Sequence, residues 1–291
     1  MGPNHPVLDQ LKLRALDVLP KNLVSRAFGV ISEIELPPAA RQVVNSTFAS
    51  FAGVDLSESE RGPGHYSSLN AFFTRRLKPG ARPIATKDPD EMVSPVDGRI
   101  TQFGRIVDDT MIQAKGKRYT LTELLDSARE AQLFRGGSYA TIYLSPKDYH
   151  RIHSPAKGRL EKVSYIPGHL WPVNPLSVKS VERLFAINER LITFLTDTNM
   201  DRMAVIKVGA TCVGRIGLSF DSFQSNQQFR RRQEMQFEQS HEFEHGDELA
   251  VFNLGSTVIL LIANPDFAFD PALIDGQMLQ MGERIGGVPK G

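Results

Sequence analysis

The strongest constraint in this chain is an apolar run from Leu249 to Ile262, interrupted by Gly255-Ser256-Thr257. A run of this kind reads as a strand, so the chain needs a sheet to hold it. The serine within it stands inside a strand-like segment, not at the strand-to-helix elbow of a hydrolase. About a hundred residues upstream, Tyr149-His150-Arg151-Ile152-His153 supplies two histidines at an i, i+3 spacing. Ser94-Pro95-Val96-Asp97-Gly98 sets a carboxylate in a tight turn. A serine, a base and an orienting acid are therefore all available.

The rest of the chain favours a β-rich body. Its 23 glycines and 18 prolines call for many turns, and 41% hydrophobic residues over 291 positions allow a real core. Thirty-four basic against 33 acidic side chains leave a formal charge of +1, without the field that nucleic-acid binding demands. The single cysteine, Cys212, excludes an intrachain disulfide and a cysteine-based metal cluster. No apolar stretch is long enough to span a bilayer, and the amino terminus lacks a signal-peptide pattern. A membrane role would have to be played from the surface.

Residues 1–70 read as an amphipathic helical region and 71–291 as the β-rich domain. Leu8, Leu11 and Leu19 suit a first helix stopped by Pro20, and Leu23 to Ile31 continue the pattern. Pro37-Pro38 ends that segment. A third helix is expected over Ala39 to Ala52, with Val43, Val44, Phe48 and Phe51 on one side. Lys12, Arg14, Lys21 and Arg26 are interleaved. Such faces suit either a layer packed on the body or a surface-lying anchor over anionic lipid. The basic cluster from Thr74 to Gly80 suits a solvated face or a phosphate contact.

In the body, Ser94 to Ile100 is echoed by Ser154 to Leu160, each a proline turn leading into a strand. Leu121 to Ala131 is expected as one helix capped by Thr120 or Thr122, and Lys115 to Tyr119 as a turn. Strands are expected at Tyr139 to Leu144, Leu160 to Tyr165 and Arg190 to Thr196. Met203 to Val208 should pair with Val213 to Phe220. The charged Gln224 to Glu244 segment reads as a loop or hairpin tip, with His241 and His245 facing solvent. Trp171, the single tryptophan, fits either an interfacial loop or a packed site.

Chemically, Gly255 leaves its carbonyl open to attack by the Ser256 hydroxyl. That attack is an N-to-O acyl shift and needs a base and an oxyanion stabiliser. His153 is the candidate base, and Asp97 the residue that would hold its tautomer or else merely shape its own turn. A metal held by His150 and His153 lacks a third nearby ligand, so no metal is expected.

Several stretches together carry a specific resemblance. They are Phe72-Phe73-Thr74-Arg75, Ser94 to Gly98, Lys115 to Leu121, Pro146 to Pro155, Pro172-Val173-Asn174, Phe185 to Arg190, Val208-Gly209-Ala210 and Phe252 to Ile259. In this order they resemble the bacterial, membrane-associated phosphatidylserine decarboxylases. The resemblance implies an α+β, self-processing proenzyme cut between Gly255 and Ser256, with Asp97, His153 and Ser256 as the maturation triad. It further implies a pyruvoyl cofactor made from Ser256, which forms a Schiff base with phosphatidylserine and releases carbon dioxide to give phosphatidylethanolamine. His150 would return the proton. A homodimer, peripheral on the cytoplasmic side of the cell membrane and meeting its substrate in the bilayer, is implied too. A pyruvoyl decarboxylase of a soluble amino acid and a non-enzymatic β-rich binding module are the alternatives that the residues alone leave open.

Overall fold

The computed structural model describes residues 21–114, 117–197, 201–211, 215–225, 231–253 and 257–290, with the side chains of 21–24 and 26 left aside. The helix expected over Leu8 to Pro20, the Lys115-Gly116 part of the expected turn, and Gly255-Ser256 themselves all lie outside the described residues.

Three helices open the described chain: α1 (Lys21–Glu33), α2 (Pro38–Ala52) and α3 (Leu69–Phe73). Pro38 sits in the first turn of α2, where its missing N–H costs nothing, and Gly53 closes that helix in the left-handed conformation at φ 77°. Ser68 caps α3 by accepting from the Ala71 N–H. The expected apolar face of α2 divides. Phe48 meets Phe72 and Phe73 edge to face, whereas Val43, Val44 and Phe51 stay exposed.

The body runs β1 (Glu91–Val93), β2 (Gly98–Arg105), β3 (Thr110–Ala114), β4 (Lys117–Thr120), α4 (Leu121–Leu125), α5 (Ala128–Leu133), β5 (Ser138–Tyr143), β6 (Arg151–His153) and β7 (Gly158–Ile166). It continues through α6 (Pro175–Ser180), α7 (Leu184–Ile187), β8 (Arg190–Thr196), β9 (Arg202–Val208), β10 (Arg215–Leu218), β11 (Gln233–Met235) and β12 (Glu242–Phe243). Last come β13 (Glu248–Asn253), β14 (Thr257–Ile262), β15 (Ala268–Phe269), β16 (Met278–Leu279) and β17 (Arg284–Gly287). A nine-stranded antiparallel sheet has the order β11-β7-β8-β9-β14-β5-β2-β16, with β12 also on β7. Smaller sheets, β10-β13-β6 and β1-β17-β15, share one hydrophobic core with it. With the helices at the amino end, the class is α+β, as expected.

Five sequence expectations are corrected. The apolar run Leu249 to Ile262 is two strands in different sheets: β13 lies between β10 and β6, and β14 between β5 and β9. All six residues of β14 are buried, as a central strand requires, which is why the run looked uniform. The chain therefore changes sheets between Asn253 and Thr257. The helix expected over Leu121 to Ala131 breaks at Asp126, at φ 50°, and restarts under a Ser127 cap. A capping box between Thr120 and Glu123 fixes its start. Lys117 to Tyr119 is strand, not turn, and β9 pairs with β8 and β14, whereas β10 pairs with β13. Within Gln224 to Glu244, β11 and β12 both join β7.

The echoed segments do fold alike. Ser94 Oγ donates to the Val96 carbonyl and Ser154 Oγ to that of Ala156, both at 2.7 Å. The turns are mutually bonded: the His153 N–H donates to Pro95 O and the Val93 N–H to Pro155 O. Each then rests on a glycine turn, Gly282 N–H donating to Ser94 O and Gly246 N–H to Ser154 O. Both glycines have positive φ, and a Cβ would collide with Ile84 at Gly246 and with the Pro83 carbonyl at Gly282.

Candidate active site

Strand register brings Asp97 and Thr257, the residue after Ser256, to one end of the large sheet. Asp97 precedes the first residue of β2, and Ser256 the first residue of β14. Both strands are antiparallel to the intervening β5, so they start at the same end. Tyr143 of β5 pairs with Arg99 on one side and Thr257 on the other. Two strand spacings put the starts of β2 and β14 about 10 Å apart. The junction's other flank, Asn253, ends β13, and the adjoining Phe252 N–H donates to the His150 carbonyl at 3.0 Å.

The two histidines divide along β6. His150 lies beside that junction end. His153 pairs with Glu248 at the far end of β13, about 16 Å along the strand at a rise of 3.3 Å per residue. The metal reading of the two histidines lacks a third nearby ligand in the sequence. Among the described residues there is no cluster of three or more groups that could hold a metal ion.

His153 is buried, with both ring nitrogens engaged. Nδ1 lies 2.7 Å from the Gly246 carbonyl, which can only accept, so Nδ1 carries the proton. Nε2 is then a lone pair, 3.2 Å from the Tyr149 hydroxyl, which donates to it. The two rings stack with centroids 5.6 Å apart. Burial pushes the imidazole below its ordinary range, opposed by the bond to Gly246 and the charge of Glu248. The neutral, base-competent tautomer is thus set by a backbone carbonyl.

Asp97 is buried and held elsewhere. Arg82 reaches its carboxylate through Nε and Nη2, and the Met281 N–H donates to Oδ1 at 2.8 Å. The same guanidinium binds both oxygens of Glu58. Asp97 and Tyr149 both line one polar cavity of about 160 Å³, with Arg75, Arg82, Lys147 and Asp148.

His150 is wholly buried, with Phe73 against its ring at 4.0 Å. Its Nδ1–H donates to the Asp148 carbonyl at 2.8 Å, while Nε2 has no partner among the described residues. Burial, reinforced by the Arg75 guanidinium, pushes it down to about 3, so it stands neutral with an open lone pair.

Sequence reasoning missed several parts. Arg75 does not belong to a solvated face: it is buried, giving one hydrogen bond to Lys147 O, with Nε and Nη1 unpartnered among the described residues. His245 is buried too, bonded to Glu91 O, which corrects its expected exposure; His241 lies half-buried between Phe220 and Phe237. Arg82 follows the basic cluster and carried no separate signal. Trp171 packs against the core.

Beside the junction end lies an apolar groove of about 270 Å³. Phe28 of α1, Phe48 of α2 and Phe73 of α3 line one wall, and Tyr143, Val173 and Ala210 belong to the body.

A buried neutral imidazole, a held carboxylate and a Gly-Ser pair in the sequence between β13 and β14 fit a class of decarboxylases that make their cofactor from their own chain, and the comparisons with known proteins show that class. Residues 69–287 match the family described as Phosphatidylserine decarboxylase. The chain is 42% identical over 278 residues to the phosphatidylserine decarboxylase proenzyme of Myxococcus xanthus, covering 96% of this chain and 98% of that one. Against the proenzymes of Anaeromyxobacter sp. and Brevibacillus brevis it is 43% and 41% identical, over 96% and 92% of its length and 99% and 94% of theirs. The chain belongs to the phosphatidylserine decarboxylase family.

Proposed function

We propose that this chain is a proenzyme that cuts itself between Gly255 and Ser256 and then decarboxylates phosphatidylserine to phosphatidylethanolamine. The observation that carries this reading is the shared sheet end, where Asp97 and Ser256 each precede a strand start beside an apolar groove. His153, neutral with its Nε2 lone pair facing the Tyr149 hydroxyl, is the base for the acyl shift. Asp97 contributes a fixed negative charge near the developing imidazolium, through space and not through a hydrogen bond. The larger product ends at Gly255 and the smaller begins at Ser256.

The pyruvoyl group supplies, once formed, an electron sink for loss of the carboxylate. The setting suits it, because His150 offers a buried Nε2, unpartnered among the described residues, next to the junction. Since His150 is neutral, it must collect a proton before it can deliver one. The ammonium of the incoming serine headgroup carries that proton to Nε2, and Nε2–H then returns it to the substrate carbon.

The groove suits an acyl chain or glycerol backbone. Its wall is continuous with helices that leave Val30, Ile31, Ile34, Val43 and Phe51 exposed. No helix among the described residues is long and apolar enough to cross a membrane, so lipid would be met at the surface. The resemblance adds the cytoplasmic face and a homodimer. Residues 1–70 are read as the membrane-associating region and 71–291 as the catalytic domain. The test is a denaturing gel of the purified chain together with carbon dioxide release from phosphatidylserine vesicles and from free serine. One uncut band, or release from free serine alone, sinks the reading.

A further inference from the structure

Three consecutive residues at the end of α3 close on the segment from Lys147 to Arg151. Phe73 lies against the His150 ring, with centroids 4.0 Å apart. The Thr74 carbonyl accepts from Arg151 Nε at 3.0 Å. Arg75 Nη2 donates to the Lys147 carbonyl at 2.9 Å. We propose that Arg75 is a positioning residue for decarboxylation: it clamps the turn whose Asp148 carbonyl holds the His150 imidazole, and so keeps Nε2 as the open lone pair. This rests on the reading of His150 as the group that moves the proton.

The turn is rigid in itself. The Asp148 N–H donates to Ser145 O at 3.0 Å, and the Asp148 carboxylate accepts from the Ser145 N–H and hydroxyl at 2.7 and 2.8 Å. Those bonds fix its shape but not its place. Its place against α3 is set by Arg75, which reaches across 72 residues of chain to Lys147 O. The next carbonyl, that of Asp148, then accepts from His150 Nδ1–H at 2.8 Å. Were that carbonyl to swing away, the imidazole proton could sit on Nε2 instead, and Nε2 would offer no lone pair.

The burial of Arg75 fits such a task. Its residue is 4% exposed, and Nε and Nη1 have no hydrogen-bond partner among the described residues. It forms no ion pair among them either: Asp97, Asp148 and Glu58 act on it only through space. The Phe72 ring lies 5.6 Å from its guanidinium carbon. A cation held this weakly adds little to stability, and an apolar side chain of similar size would pack as well. Its charge also disfavours an imidazolium at His150, so clamp and charge both keep that ring neutral.

The test reads the imidazole and the turnover separately. In the full-chain Ser256→Ala precursor, nitrogen NMR of labelled histidine reports the tautomer of His150, whose signal is assigned by its loss in His150→Ala. The parent should carry the proton on Nδ1, and Arg75→Met should lose that preference. In the cut enzyme, Arg75→Met should lower kcat for carbon dioxide release from phosphatidylserine vesicles roughly tenfold or more, with KM and self-cleavage little changed. A merely structural role would not move the tautomer while sparing KM and cleavage. If Arg75→Met fails to fold, Arg75→Lys keeps the buried charge but falls one bond short of Lys147 O, and is read the same way. An unmoved tautomer, or a wild-type kcat, overturns the clamp. His150→Ala separates the failures: normal release from it removes His150 from the reaction, whereas a dead His150→Ala beside a wild-type Arg75→Met removes only the clamp.

Discussion

Arg82 grips Asp97 with two edges of its guanidinium, Nε at 2.8 Å from Oδ1 and Nη2 at 2.6 Å from Oδ2, while also binding Glu58. One cation thus ties two carboxylates, one preceding β2 and one in the segment after α2. Arg82 and Asp97 side chains are both about 8% exposed. Arg82→Met should therefore leave a buried carboxylate uncompensated and cost on the order of 3 kcal/mol. Urea unfolding of the Ser256→Ala precursor with and without the substitution measures it. A change within 0.5 kcal/mol would show that the tie is not structural.

Cleavage and turnover should separate by residue. Ser256→Ala removes the nucleophile and should abolish cleavage, and His153→Ala should come close to that. Asp97→Ala should slow it less, because its carboxylate acts without a bond to the imidazole. His150→Ala should cleave and then fail to release carbon dioxide, because its task begins once the cofactor exists. Mass spectrometry scores the chains and trapped carbon dioxide scores turnover. Normal release from a fully cut His150→Ala protein would remove His150 from the reaction.

The turn and strand segments that carry Asp97 and His150 were legible in the sequence because they are local, and the matching turns at Ser94 and Ser154 follow from proline and glycine spacing. The side-chain settings, however, depend on Arg82, Met281 and Phe73 far along the chain. What escaped notice depends on long-range partners. Arg75 looks like a surface residue until Lys147 O is found beside it. His245 looks solvated until Glu91 is placed against it. The run Leu249 to Ile262 looked like one strand because a strand in the middle of a sheet and one in a smaller sheet over the same core are both apolar. Periodicity reports burial and is silent on which sheet does the burying.

The acid side of self-cleavage should reflect a depressed histidine. Burial holds His153 below its ordinary value of 6.5, so the base stays neutral as pH falls through that value. The rate should hold past pH 6.5 and drop only at lower pH. A time course of precursor loss across buffers checks this; a midpoint at or above 6.5 would contradict the buried setting.

Lys207 is wholly buried in β9, its ammonium bonded to the Thr193 hydroxyl, and burial pushes it down to about 7. Unfolded, it returns to about 10.5, so between those values the unfolded chain binds a proton that the folded chain does not. The wild type therefore loses stability as pH falls from about 10.5 to about 7, and the loss is constant below. Lys207→Met should be more stable by up to about 4 kcal/mol at pH 7, with the gain shrinking toward pH 10. Denaturant titrations at several pH values test it. A gain independent of pH would mean that packing, not charge, is the cause.

The exposed apolar faces of α1 and α2 give the last prediction. Phe51 is 91% exposed and Val43 66%, so replacing them removes little from the folded core. On a bilayer the same side chains would enter the interfacial layer, where burying a Val or Phe is worth about 1.5 to 3 kcal/mol. The double variant Val43→Glu, Phe51→Glu should therefore bind phosphatidylserine-containing vesicles at least roughly tenfold more weakly. It should still cut itself at the normal rate, because Asp97 and His153 lie in the body. Flotation scores binding and a gel scores cleavage. Unchanged flotation by a fully cut variant would show that this face does not meet lipid, and loss of cleavage would show that it is packed in a way its exposure does not suggest.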